Sequence, residues 1–507
     1  MDTSLCGMFL CILAVGVLVP TFKPQQIKGY GPVYIRADGS IEPSDVPVST
    51  LDNVTYTFAD DVYYYLVIER NNIVVDGAGH MLHGAWGDTG ISLNGRINVT
   101  IRNTRIKAFN DGISLDSCLN STISRINLTE ISDSAIYLHN SSGCMISENN
   151  ATAKFIGMGL SNCSGILISE NEIFEGGCGV DIFTSSNNYI SRNNVTASGG
   201  GICLLDSSNN TVHANNLMDN EFCGLSIDES CGNTILENEL VNNGLLVNHN
   251  SYLNHVENNM VNGRPLAYLE NMSDYRIDDA GQVVLIRCER IIVEGLNLSK
   301  VNTGAILIET NNSVISHNYI ADNNNYGINL DHSNRNTISA NNVLSCPNAT
   351  GIFLSFSSNN TLLTNNISNN GVGLLIASSS GNNISENNIA NNKDSGISLF
   401  FCSNNTIFHN NFLNNNVTQA YVHHSTDYWD NGYPSGGNYW SNYNGTDSNC
   451  DGIGDSNYTI DASNIDHYPL MNAYIIPEFA SFLVPFLLIV ATFFATILYK
   501  KKHDSKQ

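Results

Sequence analysis

Positive charge is scarce in this chain. Its 507 residues hold 22 Lys and Arg against 47 Asp and Glu, a formal charge of −25, and only 14% of residues are charged at all. Phosphate backbones are repelled by such a surface, which excludes nucleic acid as a partner and leaves cation binding or a plain acidic solvated surface. Helix-like stretches are almost missing between residues 90 and 411, where apolar runs are three or four residues long and alternate with polar ones. This is the period of a strand. It excludes the helical or extended back of a leucine-rich repeat, and the repeat length is too short for a propeller blade of about 40 residues. There are 13 cysteines but no CxxC and no paired spacing, so neither a disulfide framework nor a zinc site is signalled. Free, buried thiols are expected instead, with Cys118 and Cys402 at matching places in the repeat. Methionine is sparse at 9 and the 13 histidines are scattered, so no compact soft-donor group for copper stands out. His80 and His83, three apart in an extended segment, should fall on opposite faces, and the adjacent His423 and His424 should diverge as well.

What the chain has is a phrase that repeats. An Asn-Asn, an apolar triplet, a second Asn-Asn and Gly-Ile-x-Leu recur, as in SSNNTVHANNLMDNEFCGLSID from Ser207 and SSNNTLLTNNISNNGVGLLIA from Ser357. The glycines that open the last element, among them Gly90, Gly112, Gly179, Gly201, Gly327, Gly351 and Gly396, mostly lie 20 to 24 residues from their neighbours. Three short strands and three turns per repeat describe one triangular rung, and stacked rungs make a parallel β-helix that only neighbouring units stabilise. A length of 507 residues then needs no division into separate globular cores, because the core is linear. Ile113 and Leu115 should point inward with Ser114 outside, and Ile328 and Leu330 likewise with Asn329 outside. The paired Asn should occupy equivalent turns, represented by Asn188, Asn210, Asn360, Asn383 and Asn405, and hydrogen-bond from rung to rung.

The reading divides the chain into a signal peptide or uncleaved signal anchor over residues 1–21, an N-terminal cap over 22–61, β-helix over 62–425 with an irregular segment at about 245–303, and a C-terminal cap over 426–473. Residues 479–499 are nearly all apolar and long enough to span a bilayer as a helix. Lys500, Lys501 and Lys502 follow, which places the tail 500–507 in the cytoplasm and the repeats outside, at the cell surface. Pro477-Glu478-Phe479 resembles the Pro-Glu-Phe element of archaeal C-terminal sorting signals. Asn-x-Ser/Thr sequons such as Asn98, Asn127, Asn194, Asn366 and Asn457 arise largely from the Asn pattern, and only a minority are expected to carry glycans.

Chemistry has few places to sit. Asp447, Asn449, Asp451 and Asp455 stand at positions 1, 3, 5 and 9 of a loop, with Gly452 at 6 and the Ile453 carbonyl at 7. That spacing suits structural calcium, while Tyr458 at position 12 excludes a complete EF-hand and leaves Asp461 as a substitute ligand. The alternative is an Asp-Gly turn that binds nothing. Beside the loop lie Tyr428, Trp429, Tyr433, Tyr439, Trp440 and Tyr443, which read as a plug on the last rung or, failing that, a sugar-stacking platform. Enzymes on such folds need grouped carboxylates with basic partners. The outward candidates are Asp116, His139, Asp181, Asp228 and Asp331; Asp206 and Asp228 on adjacent rungs form the best catalytic pair, with Arg192 nearby. A solvated acidic face is the plainer account of them.

Four stretches carry a family resemblance: VYIRADGSIEPS with VTYTFADDVYYYLVIERNNIVVDGAGHMLHG, the interruption VNGRPLAYLENMSDYRIDDAGQVVLIRCERIIVEGLNLS, the repeats, and the closing DNGYPSGGNYWSNYNGTDSNCDGIGDSNYTIDASNIDHYPL. Over residues 31–471 the chain resembles archaeal members of the NosD-type family of right-handed parallel β-helix proteins, related to carbohydrate-binding and sugar-hydrolase β-helices and to pectin lyases. The resemblance implies that fold with a cap at each end, and roles ranging from copper delivery to surface polysaccharide. The leading expectation is a membrane-anchored, non-catalytic module that binds glycan or builds the envelope. The alternatives are a polysaccharide lyase, hydrolase or epimerase and a copper-binding accessory protein.

Overall fold

The computed structural model describes residues 31–248, 250–346 and 348–476. The segments 1–21 and 479–499 and the basic tail lie outside them. All regular structure among the described residues is β-strand, and no helix there is long and apolar enough to cross a membrane. The strands stack as a parallel β-solenoid. Its leading face is built from the Gly-Ile-x-Leu strands, so that Asp111–Asp116 pairs in register with Thr89–Asn94 on one side and Ser134–His139 on the other. The pattern continues through Cys178–Phe183, Gly200–Leu205 and Cys223–Asp228. Two faces of three-residue strands close each rung. Val33–Ile35, within the stretch read as a cap, already pairs in parallel with Leu66–Ile68.

Ile113, Leu115, Ile328 and Leu330 are at most 1% exposed, as the alternation requires. Glycine precedes each such pair because the rungs pass too close for a side chain. A Cβ on Gly327 would lie 2.4 Å from the Gly351 carbonyl oxygen and 2.5 Å from Val343.

Corners are made by a left-handed residue followed by an inward Asn. Glu170, Arg192 and Ala214 hold φ of 59°, 54° and 53°. The next residues, Asn171, Asn193 and Asn215, are 1% exposed. Backbone N–H and Nδ2 of Asn193 both donate to Oδ1 of Asn215, at 2.9 and 3.0 Å, and Nδ2 also donates to the Ile168 carbonyl at 3.0 Å. Such bonding compensates left-handed backbone that costs about 1 kcal/mol in a non-glycine residue. Asn188, Asn210, Asn360 and Asn405 stand in one such ladder position. Asn383 does not. Gly381 takes the left-handed place of the first Asn, which moves the pair along by one, and Asn382 makes the ladder bonds.

The apolar interior falls into two bodies rather than one uninterrupted column. The division lies in the irregular segment. Arg264–Glu270 turns back antiparallel on Met260–Val261 and then pairs in parallel with Gln282–Ile286. Val283 and Leu285 face the second interior, whereas Val284, Ile286, Ile306 and Ile308 join the first. The outer flank of the second stack thus closes the end of the first. Gln282, 0% exposed, seals the join: its Oε1 accepts the Leu245 N–H, and its Nε2 donates to the Leu245 and Thr303 carbonyls, each at 2.8 Å.

Candidate functional site

The closing cap is the most constructed part of the surface. Trp429 and Trp440 are each 1% exposed, and Trp440 lies between Phe412 and Tyr458 with ring centroids at 4.5 and 4.2 Å. The aromatic cluster is therefore a plug, with Tyr428 and Tyr433 left outside it at 60% and 62% exposure. Two Asn ladders end on it. Asn405 donates to Asp427, whose own N–H donates to Asn464. Asn438 donates its N–H to Asp466 Oδ2, and Trp440 Nε1 donates to the same oxygen, both at 2.8 Å. Burial pushes the Asp466 carboxyl up to about 6 against those donors.

The loop read as a calcium site is one tight turn. Asp447 accepts the N–H groups of Asp451 and Gly452 at 3.1 and 2.9 Å, and Asp451 accepts that of Ile453 at 2.9 Å. Asn449 Nδ2 donates to Asp451 at 2.9 Å. Asp455 accepts from the hydroxyl and N–H of Ser448 at 2.7 and 2.9 Å, which hold its carboxyl below the usual range. Asp461 turns to Ser463 and Asn464. Three other potential ligands converge elsewhere, at Asp60, Asp61 and His80. There Asp61 already accepts the Met81 N–H at 2.8 Å and lies 3.8 Å from His80 Nδ1.

The outward carboxylates do not assemble into one group. Asp228 stands opposite Leu205, and Asp206 is one residue further on, in a left-handed corner at φ 49°. Only backbone joins them directly, Asp206 N–H to the Asp228 carbonyl at 3.2 Å. Arg192 pairs with Glu170 at 3.0 Å, Asp116 with His139 at 3.1 Å and Asp331 with His332 at 2.9 Å. Burial raises the Asp181 carboxyl.

An exposed aromatic strip along one edge of the second stack was not foreseen. Phe356 and Phe401 occupy left-handed corners directly after their Gly-Ile-x-Leu-type strands and are 54% and 61% exposed. Phe356 stacks on His332 with centroids 4.8 Å apart, Phe401 on His424 at 5.4 Å, and Phe400 meets Tyr421 at 5.6 Å. His423 and His424 do not diverge: their rings meet at 4.2 Å, because His424 adopts φ 50° and leaves the strand direction. The signal lay in aromatics at the polar end of the repeat strands, as in SLFF before Cys402.

The described residues thus define a parallel β-solenoid. A family model described as "Periplasmic copper-binding protein (NosD)" matches residues 65–262 and again 248–445, and the chain belongs to that family. The overlap of the two matches falls next to the join between the two stacks. Among solved structures, the chain is similar to DFA-IIIase of Arthrobacter chlorophenolicus A6 without its lid, at 16% identity and TM-score 0.32, over 46% of this chain and 63% of that one. It thus spans less than two thirds of that enzyme. It is also similar to the exopolygalacturonase of Thermotoga maritima, at 10% identity and TM-score 0.28 over 64% and 76%, and to the mannuronan C-5 epimerase A-module of Azotobacter vinelandii, at 15% and 0.21 over 72% and 91%. No curated protein matches.

Proposed function

We propose that the chain is a non-catalytic glycan-recognition module held at the outer cell surface. The aromatic strip carries this reading: flat, exposed rings repeat at an edge of the solenoid and stack on His332 and His424, whose ring nitrogens are groups that can hydrogen-bond hydroxyls. Extracytoplasmic placement is supported by the periplasmic description of the family and by the apolar run 479–499 with its three following lysines. A carbohydrate-cleaving role finds less support, since the best carboxylate pair, Asp206 and Asp228, is out of register. The test is retention of surface polysaccharides on the immobilised chain. Phe401→Ala combined with Tyr421→Ala should weaken retention by about tenfold or more, at the 1–3 kcal/mol expected of stacked aromatics, with an unchanged melting temperature. Retention equal to wild type defeats the strip. Released oligosaccharide that disappears in Asp206→Asn with Asp228→Asn favours an enzyme instead.

In the same reading calcium clamps the 447–455 loop. The support is the order of its oxygen donors and the turn that already gathers Asp447, Asn449 and Asp451. Chelation should lower the melting temperature of the wild type, and Asp451→Ala should abolish that response. A melting curve indifferent to chelator removes the ion from the account.

A further inference from the structure

The corner that carries the aromatic strip continues past it. Each rung of the second stack places two left-handed residues there, three positions apart. The first column runs Arg287, Glu309, His332, Phe356, Ser378 and Phe401, each N–H bonded to the following rung. The second runs Arg290, Asn312, Arg335 and Asn359 in the same way. Three residues of chain reach at most about 10 Å, so Arg335 stands beside the His332 ring and Asn359 beside that of Phe356. At the start of the strip the two columns border an open cleft of about 440 Å³.

Arg335 lines this cleft and differs from every other arginine in the chain. Nine of the twelve lie within 4.0 Å of a carboxylate, and Arg70 and Arg96 bond to backbone carbonyls. Arg335 alone has no side-chain partner among the described residues. The acids of the cleft are already matched: Glu309 meets Arg287 at 2.9 Å, and Glu289 meets Arg290 at 2.8 Å. The Arg287 guanidinium also lies 3.5 Å above the Tyr252 ring, whose hydroxyl donates to Glu309 at 2.6 Å. One positive charge is left over. The amides beside it are oriented to donate. Oδ1 of Asn311 accepts the Asn334 N–H and Oδ1 of Asn334 accepts the Ser358 N–H, each at 2.8 Å. Asn334 Nδ2 is left to donate into the cleft, and Asn311 Nδ2 has only a 3.5 Å contact with the Glu309 carbonyl.

We propose that this cleft takes the anionic substituent of a glycan whose neighbouring sugars lie on the strip, a carboxylate or a sulfate ester held by Arg335 and the Asn311 and Asn334 amides. The inference rests on glycan recognition by the strip and adds the class of sugar. A guanidinium presents a fork of donors that matches two oxygens of such a group, whereas a hydroxyl engages it weakly. The cleft therefore selects for charge, and the rings next to it do not. A chain of net charge −25 repels a dense polyanion at long range, and one spare cation cannot offset that. The glycan that fits is a heteropolysaccharide whose acidic sugars are spaced among neutral ones.

The test measures retention of three oligosaccharides on the immobilised full chain: one alternating glucuronate with N-acetylglucosamine, the same one with its carboxylates reduced to alcohols, and a sulfated galactan free of uronate. The wild type should hold the uronate form about tenfold more tightly than its reduced form. Arg335→Gln should erase that difference while leaving retention of the reduced form and the melting temperature unchanged. Phe401→Ala with Tyr421→Ala should weaken both forms alike. A preference for the sulfated galactan that Arg335→Gln abolishes also upholds the cleft and assigns it to sulfate. Equal retention of the charged forms and the reduced one by the wild type, or a preference that survives Arg335→Gln, overturns the cleft and leaves the strip standing. A wild-type chain that retains none of the three defeats the strip and this inference with it.

Discussion

At the scale of one residue, the inward Asn is what the fold depends on. Asn365 shows why. Its N–H and Nδ2 donate to Asn387 Oδ1 at 2.9 and 3.0 Å, Nδ2 also reaches the Ile338 carbonyl at 2.8 Å, and its Oδ1 accepts both donors of Asn341. Removing that amide strands donors above it and an acceptor beneath, inside the protein, and each such orphan costs about 1–3 kcal/mol. Asn365→Ala should therefore lose on the order of 3 kcal/mol or more in urea unfolding. The adjacent Asn366 is half-buried, and its amide only donates to Asn342 and accepts from Asn388 on the neighbouring rungs, with no side-chain bond to buried backbone. Asn366→Ala should stay within about 1 kcal/mol of wild type. Equal losses at the two positions would show that the ladder does not carry the stability.

At the scale of the element, the closing cap converts ladder ends into a pH response. Asp466 is 0% exposed, and burial moves its pKa from 3.8 to about 6. The folded chain then holds this proton more tightly than the unfolded chain does. The contribution therefore favours folding at acid pH and is lost as pH rises from about 4 to about 6, by on the order of 2–3 kcal/mol. Asp466→Asn carries no such proton. Plotted against pH, the stability difference between wild type and Asp466→Asn should fall across that window, and a difference constant from pH 4 to 7 would refute the assignment. Much of this element was legible beforehand: Trp429 and Trp440 read as a plug and are one. The inward alternation of Ile113 and Leu115 was equally plain, because a period of two survives in any rung. Sequence reading failed where a left-handed corner intervenes. His424 and Phe401 leave their strands at φ 50° and 54°, so strand geometry misplaces both, and Gly381 moves the ladder role from Asn383 to Asn382. Register alone separates Asp206 from Asp228, and spacing between glycines does not reveal a one-residue offset.

At the scale of the whole molecule, the two stacks are joined flank to end, and the sequence carried only part of the sign of it. VVLI and AILI are apolar at every position, the pattern of a strand buried on both faces, whereas GISL and GINL alternate; LLIA of Val372–Ala377 is apolar too but only half-buried at Leu375, so the pattern alone does not single out the join. Ile306 makes the difference measurable. It occupies the fourth place of its strand, opposite Asn329, where an outward side chain belongs, yet it is 0% exposed because the end of the first stack covers it. Leu375 holds the same place two rungs beyond Asn329 and is half-buried at the surface. Ile306→Ala should therefore cost about 2–4 kcal/mol, as a core truncation does, while Leu375→Ala should cost about 1 kcal/mol. In a solenoid whose units couple only to neighbours, the Ile306 loss concentrates at the join and should split chemical unfolding into two transitions, one per stack. A single transition with both substitutions costing the same would mean that the flank of the second stack is not covered by the first.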